Sequence, residues 1–304
     1  MSGAGPPLRA ATRGSELARW QTAHVGDLLG TEIEMVVVET GGDRRSDVPI
    51  WEIGGQGVFV KEVQAAVLEG RADVAVHSAK DLPSAPTPGL ALAAVPERDD
   101  PRDALVGSTL AGLAPGALVA TGSVRRRAQL AWARPDLIFT GLRGNIATRL
   151  AKAPSYDAIV VARAALRRLG RTEHVAEALD TTVMLPQVGQ GALAVECRLD
   201  DEATRAALAS LDHAPSRRAL EAERAFLAEL GGGCELPVGA HAPLDDGDDL
   251  ELAGMVSSLD GRVMLRQTMT GPDPGALGRA LARHLLDDCG GEALLEDLAG
   301  AGAP

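Results

Sequence analysis

The sequence predicts an α/β protein of two lobes followed by a smaller α+β domain, and three observations carry that expectation. Short apolar runs alternate with helical patterns from residue 8 to about residue 198. Two turn-rich segments, PERDDPRD (96–103) and LPQVGQG (185–191), interrupt the alternation where a chain would cross between lobes. Beyond about residue 212 the order changes to helix, hairpin and helix. The expected division is 1–99 with 191–211 in the first lobe, 100–190 in the second, and 212–304 in the third domain.

In the first lobe, LRAAT (8–12) reads as a strand, and Ser15 as the N-cap of the helix ELARWQTAHVGDLL. IEMVVVET (33–40) is a β-branched strand, VFVKEVQAAVLEG (58–70) a helix ending at Gly70, and ADVAVHS (72–78) a strand. In the second lobe, the strands ALVATG (117–122), LIFTGL (137–142) and YDAIVVAR (156–163) precede the helices SVRRRAQLAWAR (123–134), NIATRLAK (145–152) and AALRRLG (164–170). ALAVEC (192–197) returns as a strand. The third region opens with the helix SRRALEAERAFLAEL (216–230) and the glycine-rich GGGCELPVG. LELAGMVSS and RVMLRQTMT follow as a hairpin turned at Asp260-Gly261, and GALGRALARHLLDD (275–288) as a helix.

Composition excludes several classes. The formal net charge is −12 and aromatics are 2% of 304 residues, which suits neither a phosphate track nor a base-stacking platform. No apolar run reaches the length of a membrane span, and MSGAGPPLRA does not read as a secretory signal. The three cysteines, Cys197, Cys234 and Cys289, form no CxxC pair, and the six histidines are scattered. The expectation is a cytoplasmic protein with neither a disulfide framework nor a metal site.

Open α/β sheets bind ligands beyond the carboxyl ends of their strands. That rule places Arg13, the segment His77–Asp81, the segment 121–126 and Arg143 on the ligand side. Arg125, Arg126, Arg149 and Arg168 add cations, and Ser15, Ser78, Ser123 and Asn145 add hydroxyl, amide and helix N-terminal donors. Guanidinium forks among such donors suit several carboxylates or phosphates. Asp81 is the one acid among these bases; it would stay ionised there and could stabilise a developing cation or relay a proton. Cys234 lies in GGGC, where glycines keep neighbouring side chains away from the thiol, whereas Cys197 ends an apolar strand and reads as core.

These segments, in order, resemble the porphobilinogen deaminase (hydroxymethylbilane synthase) family. ATRGSELARWQ, GGQGVFVKE, ADVAVHSAKDLP, ERDDPRDALV, TGSVRRRAQL, LRGNIATRL, DAIVVARAALRRLG and LPQVGQGALAVECR are similar to its motifs, and ERAFLAELGGGCELPVG resembles its cofactor-attachment signature. The resemblance implies two lobes like type II periplasmic binding proteins and a smaller C-terminal α+β domain. It implies a transferase of tetrapyrrole biosynthesis that condenses four porphobilinogens on a dipyrromethane primer and releases ammonia and then hydroxymethylbilane. Cys234 takes the thioether attachment and Asp81 the catalytic role. Lys80, Ser78, Thr121, Ser123, Arg125 and Arg126 match cofactor-holding positions. Arg13, Ser15, Gln21, Arg143, Gly144, Asn145, Arg149, Arg168 and Gln190 match positions for substrate or growing chain, and Phe59 an aromatic near the cofactor. The family also implies a monomer that could hand its product to the next enzyme of the pathway, without nucleic acid or membrane.

Glu52 and Gln56 stand where the family often has lysines, and Gly122 where it often has Ser or Thr. A non-catalytic dicarboxylate-binding module of periplasmic-binding fold would also explain two lobes and arginines, but not the GGGC segment. A nucleic-acid reading of Arg125–Arg127 conflicts with the net charge.

Overall fold

The structure, a computed structural model, describes residues 7–41, 57, 59–232, 236–245 and 247–301, with side chains as far as residue 296. The first lobe contains β1 (Leu8–Arg13), α1 (Glu16–Leu29), β2 (Ile33–Val38), α2 (Lys61–Leu68), β3 (Val74–Ser78) and β4 (Leu90–Ala94). The second contains β5 (Asp103–Val106), β6 (Leu118–Ala120), α3 (Val124–Ala133), β7 (Ile138–Thr140), α4 (Ile146–Lys152), β8 (Ala158–Ala162), α5 (Arg163–Arg168) and β9 (Val175–Ala178). The chain then returns to the first sheet as β10 (Leu193–Arg198), followed by α6 (Glu202–Leu208).

Both sheets have five strands in matching arrangements, β2-β1-β3-β10-β4 and β7-β6-β8-β5-β9. In each, the fourth strand runs antiparallel to its neighbours: β10 against β3 and β4, β5 against β8 and β9. Each of these strands follows a crossover from the other lobe, so the two lobes are tied by two chain segments. β1 and β3 of the first sheet and β6, β7 and β8 of the second end at the segments that carry the polar residues singled out above.

The third domain is a three-stranded antiparallel sheet, β11 (Val238–His241), β12 (Leu250–Ser257) and β13 (Met264–Gly271), covered by α7 (Ala214–Glu229), α8 (Pro274–Arg283) and α9 (Gly291–Ala301). Phe226, fully buried, packs in a core with Leu252, Leu281 and Leu285. Deleting a buried side chain of that size costs about 3–5 kcal/mol.

Most expected elements lie within a few residues of their observed bounds. The expected helix over 58–70 is shorter, Lys61–Leu68. The expected helix over 275–288 gives way after Arg283 to a π turn over His284–Asp288. Elements that escaped the periodicity include β4, β5, β9, α6 and the last helix, α9. β4 (LALAA) and β5 (DALV) are short, and the latter is buried on both faces, so neither alternates. Asp260-Gly261 does turn the hairpin, with Gly261 at φ 71°. Among the described residues, no helix is long and apolar enough to cross a membrane.

Candidate active site

Gln190, in the return crossover, is fully buried and joins the lobes. Its amide donates to the Pro101 carbonyl at 2.7 Å and to Asp103 Oδ1 at 2.9 Å. Its oxygen accepts from Lys80 Nζ at 3.3 Å and from an Arg126 Nη at 3.5 Å. A first-lobe lysine and a second-lobe arginine thus meet on one amide.

Lys80 and Asp81 lie in a 3₁₀ turn, Ala79–Asp81, directly after β3. Ser78, the last residue of β3, accepts from Gln21 Nε2 of α1 at 2.8 Å, which fixes the strand end against the helix. Burial and the nearby Arg126 push the Lys80 ammonium down to about 8, against a smaller opposing effect from Asp81. From the second lobe, Arg149 on α4 is pushed down to about 10 by burial and by its neighbours Arg126 and Arg143, again opposed by Asp81. Arg143 is lowered by burial. Arg149 donates to the Gly144 carbonyl at 2.7 Å, and Asn145 caps α4 by accepting from the Thr148 amide at 2.9 Å. Lys80, Asp81, Arg126, Arg143 and Arg149 therefore share one electrostatic neighbourhood, in which Asp81 alone is acidic among these five.

Arg125 and Arg126 divide their work. Both reach inward to Asp103, the fully buried first residue of β5, at 2.7 Å each. Burial alone would raise that carboxyl; the two guanidinium groups outweigh it and hold it well below the usual carboxylate range. Arg125 also donates to the Leu185 carbonyl at 2.6 Å and Arg126 to the Val160 carbonyl at 3.2 Å. Arg125 and Arg126 thus direct part of their donor capacity to the protein itself. Asp103 had no sequence signal of its own; the signal was the Arg-Arg pair, which needs a buried counter-charge once it is inside.

Ser123 caps α3, accepting from the Arg126 amide at 3.4 Å, and Thr121 accepts from the Ser123 amide at 3.2 Å. Gly122 between them lies so close to the next loop that a Cβ would stand 2.6 Å from the Leu142 carbonyl oxygen. A side chain there would force the two strand ends apart, which gives the departure from the family pattern a steric reason. Ser123 and Arg125 also line a recess with Gln187, Leu227 and Leu236 at the face of the third domain. Leu236 is two residues beyond Cys234 in sequence.

Other contacts hold the remaining residues. Arg13, ending β1, stacks over Phe59 at 4.2 Å. The Ser15 hydroxyl caps α1, accepting from the Ala18 amide at 3.2 Å. Arg168 is buried on α5, donating to the Gly191 carbonyl at 2.6 Å, with Asp99 at 3.6 Å and Trp20 at 6.0 Å. Its guanidinium is lowered by burial and partly restored by Asp99. Cys234, Glu52 and Gln56 lie outside the described residues. Cys197 is fully buried in β10, as its apolar context indicates.

Residues 8–206 match the family described as porphobilinogen deaminase, dipyromethane cofactor binding domain, and residues 218–287 match the porphobilinogen deaminase C-terminal domain. A porphobilinogen deaminase of Geobacter sulfurreducens is 45% identical over 300 residues, covering 95% of this chain and 94% of that one. One of Roseiflexus castenholzii is 50% identical over 300 residues, covering 95% and 98%. A nutrient binding protein from Burkholderia cenocepacia aligns in backbone over 66% of this chain and 89% of that one, with 11% identity and a TM-score of 0.40; the two-lobe architecture is read from the sheets themselves. The chain belongs to the porphobilinogen deaminase family, whose members are transferases of tetrapyrrole biosynthesis acting on porphobilinogen with a dipyrromethane cofactor.

Proposed function

We propose that the condensation takes place between the lobes at Asp81, on a dipyrromethane held by a thioether to Cys234. The observation that carries this is the depressed Lys80 and Arg149 beside Arg126 and Arg143. Desolvated cations that repel one another are stabilised by entering carboxylates, so the donor set fits a cofactor bearing acetate and propionate groups. Ser78, Lys80, Thr121, Ser123, Arg125 and Arg126 would hold it, and when bound it supplies the free pyrrole carbon to which the substrate ring is joined.

The chain's own residues do the rest. Arg143 and Arg149, with Gly144 and Asn145 at the start of α4, orient the substrate carboxylates; Arg13, Ser15, Gln21, Arg168 and Gln190 complete the set assigned to the substrate or growing chain, the buried Gln190 by positioning Lys80 and Arg126. Asp81 holds negative charge beside the substrate as its aminomethyl group loses ammonia, and accepts or returns a proton at its carboxylate oxygen. The lobes correspond to residues 1–99 with 191–211 and to 100–190, and residues 212–304 present the cysteine. The reading extends to a cytoplasmic monomer that releases its tetrapyrrole to the next enzyme of the pathway.

The intact mass of the purified protein tests the attachment. An excess equal to two linked pyrrole units is expected in the natural chain and none in Cys234→Ala. No excess after incubation with porphobilinogen would leave a cleft that binds without a primer, and the dicarboxylate-binding reading would replace this one.

Lys80 gives a second test. Its folded-state ammonium titrates at about 8, below the ordinary 10.5, so the charged form is penalised by folding. Stability therefore rises as pH increases from about 8 to 10.5, where the unfolded chain holds the proton and the folded one does not. Lys80→Met is expected to stabilise the primer-free protein by about 1 kcal/mol, by removing a buried charge, while slowing primer loading. Thermal unfolding against pH and loading followed by mass would check both signs; a destabilised variant that loads normally would overturn the role.

A further inference from the structure

Away from the cleft, one cluster of nucleophilic and titratable side chains is unused by this chemistry. After α8 the chain makes the π turn His284–Asp288, and the Cys289 amide donates to the His284 carbonyl at 3.2 Å. The wider i→i+5 turn lets residues four and five positions on both lie against the His284 ring, and π turns recur at functional sites. The imidazole Nδ1 is 2.8 Å from Asp288 Oδ2, and Nε2 is 3.8 Å from Cys289 Sγ. An ionised carboxylate only accepts, so the proton sits on Nδ1 and the Nε2 lone pair faces the thiol. From β13, Gln267 donates its side-chain N–H to the same sulfur at 3.8 Å. Cys289 and His284 are half-buried and Asp288 is exposed, so a small reagent can approach from solvent. Among the described residues, no group of three His, Cys, Asp or Glu side chains converges as ligands of one metal ion. What the geometry offers is a nucleophile, its base, and a group that orients the base.

We propose that Cys289 is a reactive thiol, activated by His284 and Asp288, that undergoes thiol–disulfide exchange with low-molecular-weight disulfides. His284 Nε2 takes the thiol proton and Sγ bonds to one sulfur of the disulfide. The disulfide's own S–S bond breaks, and the departing thiolate takes the proton from the imidazolium. The Cys289 sulfur is oxidised to a mixed disulfide and the departing sulfur is reduced, so the exchange balances. Cys197 does not compete: it is fully buried, and burial together with Asp201 raises its thiol.

The test treats the purified, primer-loaded protein with 5,5′-dithiobis(2-nitrobenzoate) and, separately, with glutathione disulfide. It follows thiolate release and maps the modified peptide by mass, which separates Cys289 from Cys234 whatever the state of the latter. One rapid equivalent at Cys289 is expected, reacting about tenfold or more faster than the same cysteine in a peptide of residues 282–292. Cys289→Ser should lose it with deaminase turnover unchanged. His284→Ala should slow it by a similar factor, with added imidazole restoring part of the rate; Asp288→Asn should slow it and Asp288→Glu should retain it. A folded-protein rate no faster than the peptide's, or a His284→Ala rate equal to the natural one, would overturn the proposal.

Discussion

Asp81→Ala is expected to lower ammonia release from porphobilinogen by about two to three orders of magnitude while the fold and the attached primer persist. The carboxylate stands in a neighbourhood of cations contributed by both lobes, with effects on Lys80 and on Arg149. Those cations suit the substrate's carboxylates but oppose the positive charge that develops as ammonia leaves. Asp103, the other acid acting on Lys80, is committed to Arg125 and Arg126, which leaves Asp81 to offset it. Asp81→Asn keeps the shape and loses the charge, so its loss should be nearly as large as that of the alanine variant. Asp81→Glu keeps the charge at a displaced position and should recover part of the rate. Single-turnover ammonia release, beside intact mass to verify loading, separates catalysis from binding. Near-normal release by loaded Asp81→Ala would remove Asp81 from its role.

Glu223→Ala is expected to cost about 3–5 kcal/mol of stability, because it leaves a buried guanidinium without its counter-charge. Glu223, fully buried on α7, accepts from Arg98 at 2.6 and 3.2 Å. It also accepts from the amides of Gly189 at 2.7 Å and Ala242 at 3.0 Å, and His241 Nδ1 lies 3.6 Å away. Arg98 belongs to the first crossover, Gly189 to the second, and Ala242 and His241 to the third domain, so one carboxylate pins all three parts together. Burial would raise its carboxyl, but Arg98 and His241 outweigh burial and hold it down at about 2, against an ordinary 4.5. The folded state thus binds its proton less readily than the unfolded chain. The stabilisation is present above about pH 4.5 and is lost as pH falls towards 2. Denaturant unfolding at neutral pH should show the full loss in Glu223→Ala, and the acid transition of the variant should be shallower across that window. Equal stability of the two proteins at pH 7 would contradict this account of the joint.

Much of this molecule was legible in one dimension. The strands and helices around the cleft announce themselves because their apolar residues repeat with the period of the element, and Ser15, Ser123 and Asn145 cap helices because their side chains accept from amides three residues on. Residues such as Ser78, Lys80, Thr121 and Arg143 stand at or just after strand ends, so the rule for open sheets places them without any knowledge of distance. The motif order was enough to indicate the family and therefore the reaction.

What the chain order alone did not contain is partnership between residues far apart in sequence. Asp103 gave no sign that it is the buried counter-charge of Arg125 and Arg126, 22 and 23 residues away. Gln190 matched a substrate position, yet it also ties Lys80 to Arg126 and Asp103. Glu223 looked like one more charge on a helix, and only the packing of α7 against both crossovers, 125 residues from Arg98, made it a pin. Local periodicity reports which face of an element is apolar. The pairing of buried charges depends on how sheets, crossovers and the third domain close on one another, and in this protein tertiary structure alone decided it.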